Sequence, residues 1–305
     1  MRAKTATAIV SSEDRIRALP CFHGRLSIEP MTGGISNESW KVTDARGRHV
    51  VRFGHDYPFH HVSRPREVMV ARAAHAAGFS PTVEHAEEGI MVSAFLDAKT
   101  YDASDVRANA DRILLLLKEF HQTMPAYVSG PGYMFWVFHV MRDYARTLKL
   151  GNSRMLRWVP GFVDLAGELE AEQIPLPIVF GHHDLLPANF MDDGEKLWLI
   201  DFEYAGFGTA MFDLAGFSSN AGFAPDETEV LMHAYFGYAP DEKTARAMSA
   251  MQCASLLREA MWSMVSELHL SAPGVNYENY TAENLAKLDT ALAAHRIAFP
   301  SRFCK

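Results

Sequence analysis

Three polar side chains in the second half of the chain have the types and the spacing that metal-assisted chemistry requires. Asp184 precedes Asn189 by five positions, and Asp201 directly follows an apolar run. An amide oxygen presented together with a carboxylate suits a hard cation such as Mg²⁺, which keeps several waters and also binds phosphate. Asp184 stands where a strand ends and a tight loop begins, so it can hold a hydroxyl group beside such an ion. The spacing therefore predicts a site for a Mg²⁺-nucleotide.

An antiparallel hairpin is the element that would bring the two metal ligands together. Short apolar arms flank a turn made of acidic residues and glycine, a composition that favours a hairpin. If the turn is centred on Glu195, Phe190 pairs with Ile200. Asn189 then lies across from Asp201, and both oxygen ligands share one end of the hairpin.

Length, composition and charge limit the classes of protein to consider. At 305 residues the chain is too long for one ordinary hydrophobic core, so two domains or lobes are expected. Hydrophobic residues make up 48% and charged residues 22%, which argues against wholesale disorder. The net charge of -8 repels phosphate backbones, and the sequence has no strongly basic patch. We therefore expect no nucleic-acid partner.

Apolar runs and cysteines indicate where the protein resides. The longest aliphatic run, 113–117, is far shorter than the roughly 20 residues that a bilayer-spanning helix needs. No secretory signal is visible near the N-terminus. Cys21, Cys253 and Cys304 are odd in number and widely spaced, which suits reduced thiols better than disulfides or a zinc site. These features predict no membrane contact and a cytoplasmic location.

The order of the hydrophobic patterns predicts an α+β fold, because period-two patterns come first and helical patterns follow. Turn residues at 44–47 separate two strand-like segments. A run from Arg66 to Ala77, preceded by Ser63 and closed by Gly78, predicts a helix. Residues 1–95 are accordingly expected to form a small lobe of antiparallel sheet plus helix.

The rest of the chain, residues 96–305, is expected to form a larger and mainly helical lobe. One helix is predicted from Ser104 to Thr123, and others over Gln252–Leu270 and 282–298. Between them, a proline-containing stretch ends in an apolar, strand-like trio at Phe180.

At two motifs the chain resembles the choline and ethanolamine kinases, which belong with the aminoglycoside phosphotransferases to the kinase-like superfamily. The motifs are His182-x-Asp184-x-x-x-x-Asn189 and Ile200-Asp201-Phe202-Glu203-Tyr204. They share the spacing logic of the kinase catalytic loop and its metal-binding aspartate. Weaker similarity extends from about residue 29 to residue 294. The resemblance implies a protein-kinase-like two-lobed fold, with ATP and Mg²⁺ in the cleft.

The resemblance also implies a role for each residue of these motifs. Asp184 would orient or deprotonate the hydroxyl of the acceptor, and Asn189 and Asp201 would bind Mg²⁺. His182 would brace the catalytic loop. Asp213, further along the chain, would steady the same loop.

In the first lobe, the resemblance implies a set of nucleotide-binding residues. Arg52 corresponds to the cation that contacts phosphate, and Glu67 to the carboxylate that pairs with it. A guanidinium fork can bridge a carboxylate and a phosphate at once, although a plain surface salt bridge is the alternative. Paired glycines let backbone amides approach phosphate oxygens, and the adenine would lie against the connector. These two segments contribute Gly33, Gly34, Asn37, Ala94 and Leu96.

For the acceptor, the resemblance points to Tyr204, Trp262 and Tyr280. Aromatic faces attract a quaternary ammonium by cation–π interaction, although large aromatics at helical spacing also commonly fill a core. The sequence departs from the eukaryotic choline kinases in having Glu259 in place of a further tryptophan, and it has Asn220 and Leu186 in place of a glutamate and a glutamine. Glu259 shares a helix face with Trp262, so we hypothesise that it supplies the missing negative charge.

Taken together, the sequence predicts transfer of the γ-phosphoryl group of ATP to the hydroxyl of a small amino alcohol, most simply choline or ethanolamine. An aminoglycoside, thiamine or another small alcohol is the alternative acceptor. A nucleotide-binding pseudokinase is the alternative of another class, although the intact acidic motifs argue against it. The oligomeric state is left open, and a homodimer is compatible with the sequence.

Overall fold

The first lobe is built on a five-stranded antiparallel sheet. The computed structural model describes residues 11–31, 37–271 and 274–300. Gly33 and Gly34 lie outside the described residues. The strands follow the spatial order β1-β2-β3-β5-β4. They are β1 (Ser27–Met31), β2 (Glu38–Thr43), β3 (Arg48–Phe53), β4 (Val83–Glu87) and β5 (Ile90–Ala94).

The predicted hairpin around residues 44–47 is confirmed as the β2–β3 connection. Asp44 closes this turn because its carboxylate accepts backbone N–H bonds from Arg46 at 2.7 Å and Gly47 at 3.0 Å. Along β3, Val51 and Phe53 point into a small core under helix α1 (Ser12–Ala18). Because side chains alternate along a strand, Arg52 points to the opposite face.

Helix α2 (Arg64–Ala76) confirms the predicted helix of the first lobe and begins two residues earlier than expected. Ser63 is its N-cap residue, but its side chain makes no capping bond, and a proline occupies the first turn. The chain leaves the helix at Gly78, whose φ of +88° is readily adopted by glycine. Glu67 is buried on this helix together with Val70 and Ala74.

The second lobe is mainly helical. Its helices are α3 (Ala103–Ala108), α4 (Ala110–Thr123), α5 (Val137–Leu150), α6 (Val159–Ala171), α7 (Ala210–Asn220), α8 (Pro225–Phe236), α9 (Glu242–His269) and α10 (Tyr277–Ala298). Helix α9 packs against α5, α6, α7 and α10, and its buried residues lie on most sides of the helix, as expected for a central element. None of the helices in the described ranges is long and apolar enough to cross a membrane.

Three further helix predictions are wrong in their bounds, and one of them, over 282–298, misses the first five residues of α10, which begins at Tyr277. The expected single helix from Ser104 to Thr123 is interrupted at Asn109, whose backbone leaves the helical region with φ -116° and ψ 22°. The Asn109 side chain donates to the carbonyl of Asp105 at 2.9 Å, and this local bond competes with helix continuation. Helix α9 begins ten residues before the predicted Gln252, because Asp241 caps it through the backbone N–H of Thr244.

Short strands in the second lobe carry the loops of the site. Strands β7 (Ile178–Gly181) and β10 (Gly206–Thr209) form one antiparallel pair. Strands β8 (Phe190–Asp192) and β9 (Leu197–Leu199) form the predicted hairpin, which is extended by the two-residue β6 (Lys99–Thr100).

The predicted register of the β8–β9 hairpin is wrong by one residue. Phe190 pairs with Leu199, and the carbonyl of Asn189 accepts a bond from the N–H of Ile200 at 3.1 Å. The reason is a tighter turn, which Asp193 closes by accepting the backbone N–H of Lys196 at 2.7 Å. Asp201 therefore follows the hairpin instead of pairing within it.

Candidate active site

A buried carboxylate, Asp213, holds the loop that carries the predicted catalytic residues. Its oxygens accept the backbone N–H groups of His182 and His183, each at 2.7 Å, and Nε2 of His121 lies 2.9 Å away. Burial alone would raise the pKa of Asp213, but the bond from His121 and the nearby histidines hold it below the ordinary value. Helix α7 thus fixes the first turn of the loop through one side chain.

His182 joins this loop to the end of the hairpin. Its Nε2 lies 2.9 Å from the carbonyl oxygen of Ile200, and its Nδ1 lies 3.3 Å from the backbone nitrogen of Asp184. Burial lowers the pKa of His182, so the neutral ring can donate through Nε2 and accept through Nδ1. The two bonds set Asp184 in a fixed position relative to the residue that follows Ile200.

Asn189 and Asp184 are in contact, as their spacing in the sequence predicts. The amide nitrogen of Asn189 donates to the carbonyl oxygen of Asp184 at 2.8 Å and lies 3.4 Å from its carboxylate. This orientation leaves the amide oxygen of Asn189 as the atom able to bind a cation. Asn189 is buried and Asp184 is half-buried.

Asp201 lies at the same end of the hairpin, although it does not lie across from Asn189 as the predicted register required. Its backbone has a φ of +66°, a left-handed conformation that aspartate tolerates better than most residues. Burial alone would raise the pKa of Asp201, but the guanidinium of Arg52, 2.8 Å away, holds it below the ordinary value. The carboxylate therefore remains charged and able to bind a metal ion.

Arg52 links the two lobes by ion pairs. Its guanidinium contacts Asp201 from the second lobe and also Glu67 from helix α2. Since β3 directs Arg52 away from the sheet core, the strand itself aims this cation at the cleft between the lobes. The structure thus brings the predicted pair of Arg52 and Glu67 together, and it adds a direct bond to the predicted metal ligand.

A second arginine, which the sequence did not single out, extends this network. Arg64 donates to Glu67 at 2.6 Å, to Glu203 at 3.0 Å and to the side-chain oxygen of Asn37 at 2.8 Å. Burial raises the pKa of Glu203, as does repulsion from Asp201. Arg64 stands three residues before Glu67, which is the spacing of an ion pair within a helix. This spacing is the sequence signal from which the pair could have been predicted.

Ala94 and Leu96, predicted to contact the adenine, lie in the half-buried connector between the lobes. The connector is held in place because the N–H of Phe95 donates to the carbonyl of Arg48 at 3.0 Å. Their role toward a nucleotide stays a prediction.

Asp184 opens into a cavity of about 230 Å³. Burial raises the pKa of Asp184 well above the ordinary value, and the nearby Arg258 only partly offsets this. Polar side chains form much of the wall. They are Asp184, Ser219, Asn220, Ser255, Arg258, Glu259, Tyr280, Asn284 and Lys287.

The predicted acceptor residues divide into two groups. Glu259 and Tyr280 line the cavity, and the Tyr280 hydroxyl donates to Glu259 at 2.7 Å. Tyr204 and Trp262 are only 4% and 7% exposed, and the indole N–H of Trp262 donates to the Tyr204 hydroxyl at 3.0 Å. Both residues lie behind the wall of the cavity.

Asn220 and Leu186 are the other two residues that depart from the expected acceptor pattern. Asn220 donates to the carbonyl of Leu185 at 3.1 Å and so helps to hold the catalytic loop. Leu186 is exposed at the mouth of the cavity. Arg258, buried beside Glu259, was missed by sequence reasoning because an arginine in a long helix ordinarily faces solvent.

Comparison with known proteins identifies the family to which this site belongs. The model of the phosphotransferase enzyme family, APH, matches residues 27–248, more than half of the chain. The chain belongs to this phosphotransferase family. The match spans the catalytic loop, the hairpin and Asp213, so the predicted resemblance and the predicted class of enzyme are confirmed.

Similar proteins include kinases of small alcohols. A probable ethanolamine kinase of Arabidopsis thaliana is 28% identical over 274 residues, which cover 78% of this chain and 72% of the relative. Among solved structures, a choline/ethanolamine kinase family protein from Mesorhizobium loti has a TM-score of 0.74 and 24% identity. That alignment covers 93% of this chain and 96% of the other.

A choline kinase, LicA from Streptococcus pneumoniae, has a TM-score of 0.71 at 19% identity, with 88% of this chain and 93% of the other covered. Together these structures confirm the predicted protein-kinase-like fold of two lobes.

Asp213 provides the first test of this architecture. The Asp213→Asn substitution replaces one acceptor oxygen by an amide group that faces N–H donors. We expect the free energy of unfolding at pH 7 to fall by about 3 kcal/mol, because buried donors lose a charged partner. Urea unfolding of the variant measures this loss. Asp289→Asn, an exposed change on α10, should stay within about 0.5 kcal/mol of the original protein.

The same pair of variants has a defined pH dependence. Because the pKa of Asp213 is lowered by folding, its contribution is complete well above about pH 4 and is lost as pH falls toward the folded-state pKa. The stability difference between the original protein and Asp213→Asn should therefore shrink on acidification below about pH 4. A difference that is small at pH 7, or that grows on acidification, would contradict this role for the carboxylate.

Proposed function

We propose that the protein transfers the γ-phosphoryl group of ATP to the hydroxyl of a small amino alcohol, with choline and ethanolamine as the first acceptors to test. The observation that carries the proposal is the position of Asp184. This carboxylate is set beside Asn189 on a braced loop, and it opens into a small polar cavity. The cleft that holds Arg52 and Asp201 adjoins the same loop.

The nucleotide side of the proposal is supported by the charges in the cleft. Arg52 and Arg64 are positioned by carboxylates from both lobes, and guanidinium groups bind phosphate oxygens with matched geometry. One similar structure, of a LicA protein, was determined in complex with AMP, and that of a spectinomycin phosphotransferase with ADP. Glu67 would keep Arg52 aimed into the cleft when the arginine turns from Asp201 toward phosphate.

The donor set fits a Mg²⁺ ion. Asn189 offers an amide oxygen and Asp201 a charged carboxylate, and Mg²⁺ commonly takes one or two such groups while phosphates and waters complete its shell. When bound, the ion would neutralise charge on the phosphates. His182, through its bond to the carbonyl of Ile200, fixes the position of Asp201 relative to the loop.

Asp184 is proposed to receive the hydroxyl of the acceptor and to accept its proton during transfer. A carboxylate with a raised pKa is a better proton acceptor than one with the ordinary pKa. Positioning and charge neutralisation supply most of the rate in phosphoryl transfer. The rigid support of Asp184 by His182 and Asn189 is therefore as important as its basicity.

The size of the cavity favours a small acceptor. About 230 Å³ lies below the range of about 300–1,000 Å³ typical of pockets for drug-sized ligands, so a multi-ring aminoglycoside fits poorly. Glu259 supplies a carboxylate for an ammonium group of the acceptor, as hypothesised from the sequence. The cytoplasmic location and the homodimer stay predictions.

Asp184→Asn should lower kcat by at least about 100-fold for any accepted alcohol, because the side chain can no longer take a proton. The dissociation constant for ATP should change little, since Asp184 faces the acceptor. A coupled assay of ADP release over choline, ethanolamine, thiamine and aminoglycosides measures the first effect, and calorimetry the second. Asp289→Asn is the matched control. Undiminished ADP release by Asp184→Asn would refute the role; nucleotide binding without ADP release for any acceptor would favour the pseudokinase.

Asp201→Asn tests the proposed metal site by binding. We expect the Mg²⁺-dependent part of ATP affinity to fall at least about tenfold, because a neutral amide is a weaker ligand for a hard cation than a carboxylate. Titration of ATP with and without Mg²⁺ separates this part from binding of the nucleotide alone. A variant whose ATP affinity responds to Mg²⁺ as strongly as that of the original protein would rule out Asp201 as a ligand.

Glu259→Gln tests the acceptor side. The substitution keeps an oxygen for the Tyr280 hydroxyl but removes the negative charge, so KM for the amino alcohol should rise about tenfold while kcat changes less than about threefold. Initial-rate measurements over a range of acceptor concentrations give KM and kcat for the variant and the original protein. Glu283→Gln, an exposed change on α10, serves as the control. An unaltered KM would remove Glu259 from the site.

A further inference from the structure

We propose that Arg258 determines which amino alcohols this enzyme accepts, and that it selects a primary ammonium over a quaternary one. Its guanidinium occupies the ring face of Tyr204 that a quaternary ammonium would need. The inference rests on the proposed function and narrows it to one class of acceptor. It concerns the group at the far end of the acceptor, while Asp184 acts on the hydroxyl.

The position of Arg258 is the central observation. Its Cζ lies 4.5 Å from the centre of the Tyr204 ring, within the distance of a cation–π contact. The side chain is only 4% exposed, and Nη1 donates to the carboxylate of Glu259 at 2.8 Å. Arg258 also lines the cavity beside Asp184. A permanent cation of the protein is thus held against an aromatic ring of the predicted acceptor site.

The aromatic residues behind Arg258, Tyr204 and Trp262, are buried and held in place by specific contacts. The Trp262 ring stacks on His60 with centroids 5.0 Å apart, and its N–H is bonded to the Tyr204 hydroxyl. His60 is itself held by Tyr144 and Ser266, at 3.2 Å and 2.9 Å. These contacts make the rings part of the core, so a ligand cannot enter between them without breaking buried hydrogen bonds.

Charge and hydrogen bonding then separate the two kinds of ammonium. A second cation near the guanidinium is repelled unless hydrogen bonds to carboxylate or carbonyl oxygens compensate. A primary ammonium carries three N–H donors, and Glu259 and Asn284 present oxygens along the cavity wall. A trimethylated ammonium has no N–H donor, and the face of the Tyr204 ring that would attract it is covered by Arg258.

The remaining N–H groups of Arg258 are enclosed by the protein. Within the described residues, its Nε and Nη2 are buried without a hydrogen-bond partner. Since these atoms are not exposed, the guanidinium acts on the acceptor through its charge and through the ring face that it covers.

The first experiment needs no variant. Initial rates with ethanolamine and with choline, at saturating Mg²⁺-ATP, give the ratio of kcat/KM for the two alcohols. We expect ethanolamine to be favoured at least tenfold. A protein that uses choline as well as or better than ethanolamine would overturn the inference but leave the proposed function standing. Turnover of neither alcohol would overturn the inference, and the proposed function would fail with it if none of the other acceptors released ADP.

The second experiment removes the cation. Arg258→Met keeps much of the side-chain volume and uncovers the Tyr204 ring, so the kcat/KM ratio should move at least tenfold toward choline, chiefly through a lower KM for choline. Arg258→Lys, which restores a cation, should return part of the preference for ethanolamine. A purely structural role would lower both kcat/KM values together, and an unchanged ratio in folded Arg258→Met would contradict the inference.

Arg157→Met is the matched control. Arg157 also stacks on an aromatic ring, with Cζ 3.7 Å from the centre of the Trp158 ring, but it is exposed and remote from the cavity. Its substitution should leave the ratio unchanged within about twofold. ATP affinity and urea unfolding of each variant show whether the cleft and fold are intact. If Arg258→Met does not fold, Arg258→Gln, which also removes the charge, is measured in its place with the same expected change of the ratio.

Discussion

The bond between the Asp213 carboxylate and two successive backbone N–H groups is the constraint on which the rest of the site depends. A loop that leaves a strand exposes peptide groups which must find partners, and burial makes an unpaired N–H costly. Here the carboxylate of Asp213 takes the N–H groups of His182 and His183, and the His121 ring contacts the same carboxylate. With these groups fixed, the position of Asp184 is closely defined, because it is the next residue of the chain.

The two lobes are joined by a similarly small set of contacts. The alternation of side chains along β3 directs Arg52 into the cleft, and Arg64 lies in the first turn of helix α2. Both arginines form ion pairs with carboxylates from the second lobe. Buried ion pairs gain less stability than their attraction suggests, because both charges lose water. Their value at this site is geometric, since they hold two arginines and three carboxylates around the cleft before any phosphate enters.

Sequence reasoning predicted that Asp184 and Asn189 lie together because their spacing depends on local geometry alone. The class of fold followed from hydrophobic periods, which report burial directly. The hairpin register did not follow, because it depends on whether Asp193 closes a shorter turn, and the composition is the same for both registers. The helix break at Asn109 could not be predicted either, because it depends on a single side-chain hydrogen bond.

The buried network was harder to predict for a different reason. Arg64, Glu203 and Arg258 are charged residues that sequence patterns assign to the surface, and only the folded structure shows how far each is withdrawn from water. In particular, the meaning of the aromatic residues depends on Arg258. Tyr204 and Trp262 alone indicate a site for an external cation, but the same rings with an arginine already in place indicate a filled one. Whether an aromatic cluster can bind a ligand is therefore set by which cation the chain itself places there.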